Sequence, residues 1–198
     1  MVAKLSGEWK AAGEFRDFNF DCGHCGARSG PSRRYTNSGS GGDFAQIVIC
    51  PSCNRPTYVL GEFAEQVPGP LVGRSITGIT DAEVEKLYDE ARKALANGAP
   101  SAAVMVCRKL LMHIAVEKGA KEGESFTYYA QYLTDKHIVG ATFADVVAHI
   151  KDQGNKENHE LDVSSVAEAA MVLRLVEFIL ASIYELPALV PKPTPSAE

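Results

Sequence analysis

The sequence predicts a mainly α protein: a helical bundle of about five helices preceded by a small β module. Three observations predict it. The first 70 of the 198 residues read as short strands and turns, with aromatic and β-branched runs broken by glycine and serine. From residue 80 onward, apolar residues recur at helical spacing. Four of the five cysteines fall in two close pairs, and both pairs lie in the first segment. VPGPLVG, residues 67–73, lies where the two patterns meet and reads as linker. The expected organisation is a β module over 1–70, a linker over 71–79, a bundle over 80–188 and a disordered tail over 189–198.

The strands are expected over 14–20, where Phe15, Phe18 and Phe20 alternate with polar residues, and over 44–49 and 57–60. ARSGPSRRYTNSGSGG, between the cysteine pairs, is rich in glycine and serine and reads as a loop. The first helix opens at Thr80, with Glu83 three residues on as a capping box, and ends at Gly98. The second runs from about Ser101 to Lys118. Its centre, AAVMVCRKLLMHIAV, is apolar on almost every face, so it should be the central helix of the bundle. A third is expected over 127–136 and a fourth over 142–153. The last and longest runs from Ser165, capped with Glu168, to about Leu186.

A hydrophobic content of 45% supports a packed core, and 23% charged residues suits a globular chain. No apolar run approaches the roughly 20 residues of a membrane-spanning helix. MVAKLSGEWKAAGEF lacks the apolar centre of a signal peptide. A cytoplasmic protein with no membrane partner is therefore expected. The net charge of −5 argues against broad nonspecific binding to nucleic acid. The acidic excess belongs to residues 71–198; residues 1–70 carry seven basic and seven acidic side chains.

The cysteine pairs, CGHC (Cys22, Cys25) and CPSC (Cys50, Cys53), are separated by 24 residues. A C-x-x-C turn presents two sulfurs on one side of an ion, and zinc takes four thiolates in a tetrahedron. Gly23 and Gly26 would let backbone amides approach the sulfurs. Strand, knuckle, long loop and second knuckle make a zinc-ribbon layout. One structural zinc per chain is expected, because four protein ligands leave no open position. Disulfides and an iron–sulfur site are the alternatives. His24 is a spare ligand that the four cysteines make unnecessary. Cys107, in an apolar run, should be a small buried hydrophobe.

Arg28, Arg33, Arg34 and Tyr35 lie in the expected loop. Basic residues beside an aromatic suit phosphates and a base, so they are candidate nucleic-acid contacts. Three arginines are a modest cluster, and a solvated loop is the leading alternative. His113 reads as a packed core histidine.

Two stretches, YDEARKALANGAPSAAVMVCRKLLMHI (88–114) and IKDQGNKENHE (150–160), together with the last helix, resemble the domain of unknown function family 4145. The resemblance covers roughly residues 80–186, and a preceding zinc ribbon is a common companion. It implies an α-helical domain similar to the HEPN superfamily, a prokaryotic defence or nucleic-acid context, and a homodimer. Active HEPN ribonucleases carry an Arg, four to six residues, then a His. Asn155 and His159 match that motif, but Gly154 stands where the arginine should be. Arg108 is the best substitute for gripping phosphate. Two readings stay open. The first is a non-catalytic binding or adaptor module meeting a protein or nucleic acid, with Asn155 and His159 structural and Arg108 bridged to Glu160 or Glu177. The second is a metal-independent endoribonuclease using His159 with Asn155 and Arg108.

Overall fold

The computed structural model describes residues 8–12, 18–38, 44–61, 65–140 and 163–190. The chain divides into two compact units, residues 1–72 with 95–99 and residues 73–94 with 100–198. It is mainly α with an N-terminal β module.

The first unit holds seven strands: β1 (Trp9–Ala11), β2 (Phe20–Asp21), β3 (Arg28–Ser29), β4 (Arg33–Ser38), β5 (Phe44–Ile49), β6 (Pro56–Leu60) and β7 (Glu65–Val67). Five form one antiparallel sheet in the order β1-β4-β5-β6-β7, while β2 and β3 form a separate hairpin. The strands expected over 44–49 and 57–60 are β5 and β6. The segment expected as a loop between the cysteine pairs instead contains β3 and β4. All six residues of β4 pair with β5, from Arg33 opposite Ile49 to Ser38 opposite Phe44. Cross-strand pairing with a β-branched neighbour decides the conformation there, and glycine and serine counts do not register it. Of the strand expected over 14–20, Phe20 lies in β2, and residues 13–17 are outside the described residues.

Because side chains alternate along a strand, the sheet has two different faces. One carries Val48 and Val59, which pack with Phe20, Cys22 and Cys50 in a buried cluster edged by Phe18, Ala27 and Cys53. The other carries Tyr35, Ile47 and Tyr58, paired in register across β4, β5 and β6.

The second unit has, among the described residues, four helices: α1 (Ala82–Ala96), α2 (Pro100–Glu117), α3 (Phe126–Asp135) and α4 (Val166–Leu180). The helix expected over 142–153 lies outside the described residues, as do residues 191–198 of the expected tail. α2 packs against both α3 and α4, burying Val104, Cys107, Leu110, Leu111 and Ile114. It is less evenly enclosed than its apolar sequence implies: Met105 is exposed and Arg108 and His113 are half-buried. The capping box predicted at Ser165 and Glu168 is present in both directions. At α1 the cap is Asp81 rather than Thr80; its Oδ1 accepts from the Glu83 amide at 2.8 Å.

α4 continues through a π turn, Ala181–Glu185, and a short turn, Leu186–Ala188. A π turn carries an extra residue relative to the α ladder. Within it, the Tyr184 hydroxyl donates to the Glu117 carboxylate, and Glu185 accepts from Arg74 and from Thr77 at 3.0 Å. The segment expected as a linker is thus fastened to the helices. Arg92, only 5% exposed, donates to the Gly73 carbonyl at 2.9 Å, and the Tyr88 hydroxyl donates to the Arg74 carbonyl at 3.0 Å. No helix among the described residues is long and apolar enough to cross a membrane.

Candidate metal centre

The two cysteine pairs sit on turns built alike. In the first, the Gly26 amide donates to the Cys22 carbonyl at 2.8 Å, and the Cys22 amide donates to the Ala27 carbonyl at 2.9 Å. In the second, Asn54 donates to the Cys50 carbonyl at 2.8 Å, and Cys50 donates to the Arg55 carbonyl at 3.1 Å. The fifth position of each turn is left-handed: Gly26 at φ 74° and Asn54 at φ 55°. Glycine and asparagine tolerate that conformation best. Gly26 is expected at its knuckle from the sequence; Asn54 is not, although its identity is the available signal. Gly23 matters for space. A Cβ there would stand 2.3 Å from the Gly69 carbonyl oxygen and 2.6 Å from that of Pro68.

These turns bring all four sulfurs together. The Sγ atoms of Cys22, Cys25, Cys50 and Cys53 lie within 4.8 Å of one another and could hold a metal ion. Cys22 and Cys53 are 3.7 Å apart, and Cys25 and Cys50 are 3.8 Å apart. A tetrahedron of sulfurs about 2.3 Å from a central ion has edges of about 3.8 Å. A disulfide needs about 2.05 Å and is not formed here. Each of these two pairs joins one knuckle to the other, as a shared ion requires. The residues present therefore fit a four-sulfur metal site.

The electrostatics agree with that donor set. Burial pushes the Cys22 thiol up to about 12, and it also raises Cys25. At Cys50 the burial effect is outweighed by the amides of Cys53 and Ser52 and by the neighbouring thiols, bringing it down to about 7. Four crowded thiols cannot all ionise without a cation, and a divalent ion would hold all four as thiolates. His24 is not among the donors; its Nε2 meets the Pro56 carbonyl at 2.9 Å. Cys107 is buried, and burial alone raises its thiol to about 12, as expected of an inert core cysteine.

The other predicted residues are dispersed. Arg28 lies on β3 and reaches Asp21 at 3.2 Å; Arg33, Arg34 and Tyr35 lie on β4. Arg33 donates to the Asn54 side chain of the second knuckle at 3.1 Å. In the helical unit, the Arg108 guanidinium lies over the Phe126 ring, 4.5 Å from its centroid. Glu177, one expected partner of Arg108, bridges to Arg174 at 3.0 Å and to Arg74 at 3.8 Å. Gly154, Asn155, His159 and Glu160 lie outside the described residues. His113 is not a core histidine: it is half-exposed, and its Nε2 meets Asp81 at 2.9 Å.

The sequence model of the family described as Domain of unknown function (DUF4145) matches residues 89–194. The chain belongs to that family. The DUF4145 match begins within α1 and takes in α2, α3 and α4, while the four cysteines precede it. No curated protein and no solved structure matches the chain.

Proposed function

We propose that this DUF4145 protein is a non-catalytic binding module, in which a zinc-clamped ribbon presents a nucleic-acid-binding surface and a HEPN-like helical domain follows it in the chain. The observation that carries the reading is the spacing of the four cysteine sulfurs, 3.7 and 3.8 Å between knuckles. Zinc is the ion of choice for four thiolates in a tetrahedron, and with four protein ligands it keeps no position for substrate. Bound there, it would cross-link the turns that carry β2, β3, β5 and β6. The buried cluster of this unit is small, and Cys22 and Cys50 are themselves part of it. A module with so few apolar side chains gains much of its folding free energy from such a cross-link.

Nucleic acid is the favoured partner because the strand next to the metal is basic. Arg33 and Arg34 stand on β4, and Arg55 follows the second knuckle. β4, β5, β6 and that knuckle contain no carboxylate. The overall negative charge sits elsewhere in the chain, so binding here would be local and salt-sensitive.

The test is retention of a labelled RNA and DNA mixture by the native protein and by protein stripped with a strong chelator. Binding by the native form, lost on stripping and restored by zinc, is expected, with the RNA recovered intact. Failure to bind either polymer would overturn the reading. Cleavage of the RNA that disappears in His159→Ala would overturn its non-catalytic part.

A further inference from the structure

We infer that His24 is a positioning residue of the metal site: its imidazole stays outside the group of four sulfurs and bonds the first knuckle to the base of the second, which slows release of the ion. This rests on the zinc reading above and adds to it a side chain that donates nothing to the metal.

The knuckle turn itself does not require a histidine. Position 24 of CGHC corresponds to Ser52 of CPSC, and the two turns close with the same backbone bonds. The backbone of each residue plays the same part: the His24 amide donates to the Cys22 sulfur at 3.4 Å, and the Ser52 amide bonds to the Cys50 sulfur. What sets His24 apart is its ring. Half-buried, it meets the Pro56 carbonyl at 2.9 Å, 32 positions away in the chain. A carbonyl only accepts, so Nε2 carries the hydrogen and donates it.

Pro56 is where the second knuckle rejoins the sheet. It opens β6 opposite Ile49, the residue before Cys50, and the Cys50 amide closes the turn on the Arg55 carbonyl at 3.1 Å. A bond to Pro56 therefore grips the base of the turn that carries Cys50 and Cys53. Through one residue, the amide that meets the Cys22 sulfur is tied to the position of the opposite pair of sulfurs. Those sulfurs stand close to the first pair, Cys53 at 3.7 Å from Cys22 and Cys50 at 3.8 Å from Cys25. For an ion to leave, the two pairs must part, and the imidazole bond resists that parting. Groups that hold a metal site's geometry from outside its ligand shell tune its affinity in this way. One net hydrogen bond corresponds to a factor of about three to ten.

The test uses amide side chains as mimics of the imidazole. Glutamine can place an N–H at the reach of Nε2, whereas asparagine reaches only as far as Nδ1. Full-length, zinc-loaded native protein, His24→Gln and His24→Asn are each mixed with a chromogenic zinc chelator, and their cobalt-substituted forms are compared by absorption. Release about three to ten times faster from His24→Asn than from the native protein is expected, with His24→Gln close to native. The three cobalt forms should share one four-thiolate spectrum, because no ligand changes. Equal release from all three proteins would overturn the inference while leaving the zinc reading intact. Release equally fast from both variants would do the same, since the hydrogen bond would then not be what holds the knuckles. Cobalt bands that shift in both variants would make His24 a ligand and overturn it as well. Native protein that takes up neither zinc nor cobalt would overturn both.

Discussion

Cys22 faces Cys53 across 3.7 Å although 31 positions separate them in the chain. Each belongs to a different knuckle, so the contact locks two distant turns of the first unit together. Removing one sulfur should therefore cost more than one bond. Cys50→Ser is expected to lose the metal and unfold the ribbon. The helical unit has its own core and should keep its helicity. Far-ultraviolet circular dichroism alongside metal analysis checks this; a Cys50→Ser protein with full metal content would contradict it.

Gly23 is the tightest point beside the first knuckle. A methyl group there meets backbone oxygens of Gly69 and Pro68, neither of which is a flexible side-chain end. Gly23→Ala is expected to destabilise the ribbon by about 1–3 kcal/mol, the usual range for overpacking. Chelator competition reads the effect, since a strained knuckle should release its ion at lower chelator concentration. Unchanged competition would show that Pro68 and Gly69 move aside freely.

The knuckles also show what was legible in the sequence. C-x-x-C spacing identified four residues that the fold brings together, because the chemistry depends on local turn geometry repeated twice. β4 is not legible: its glycine- and serine-rich surroundings hide a pairing that β1 and β5 impose from either side. The pairing of Trp9 with Tyr58 across the sheet is not legible for the same reason. Their shared face exists only once β1, β4, β5 and β6 are in register. His113 reads as core in the sequence because its helix is apolar on almost every face, whereas its partner, Asp81, comes from the start of another helix. Helix positions fared better where a side chain caps locally, as Ser165 does.

Ser165 caps the helix that closes the bundle core. Its hydroxyl accepts from the Glu168 amide at 3.2 Å, and the Glu168 carboxylate accepts from the Ser165 amide at 2.7 Å. Ser165→Ala is expected to lower the stability of the helical unit by about 1 kcal/mol. For comparison, Leu110→Ala, deep between α2 and its neighbours, should cost about 2–5 kcal/mol. Thermal unfolding that ranks the two variants in the opposite order would contradict the packing described.

Acid should loosen the helical unit through its carboxylates. Hydrogen bonding to Arg74 and Thr77 holds Glu185 below the usual 4.5. At Glu117, burial alone would raise the value, but the bonds from Tyr184 and Lys118 outweigh it and bring it below 4.5. Asp81 lies below 3.8, chiefly through His113. Groups with folded values below their unfolded ones stabilise the fold above the unfolded value. That contribution is lost as pH falls through the folded value. Stability should be level above about pH 5 and decline below 4.5. Glu185→Gln should reduce the steepness of the decline. A denaturation midpoint that stays flat down to pH 3 would contradict these pairings.

The four cysteines are placed to share one metal ion, and the proposed function makes that ion zinc. The most direct measurement is elemental analysis of the full-length native protein, with zinc referred to protein concentration, beside a variant carrying Cys22→Ser and Cys53→Ser. About one zinc per chain in the native protein and none in the variant is the predicted result. Native protein folded in its first unit and free of zinc, or a variant that retains the ion, would contradict it.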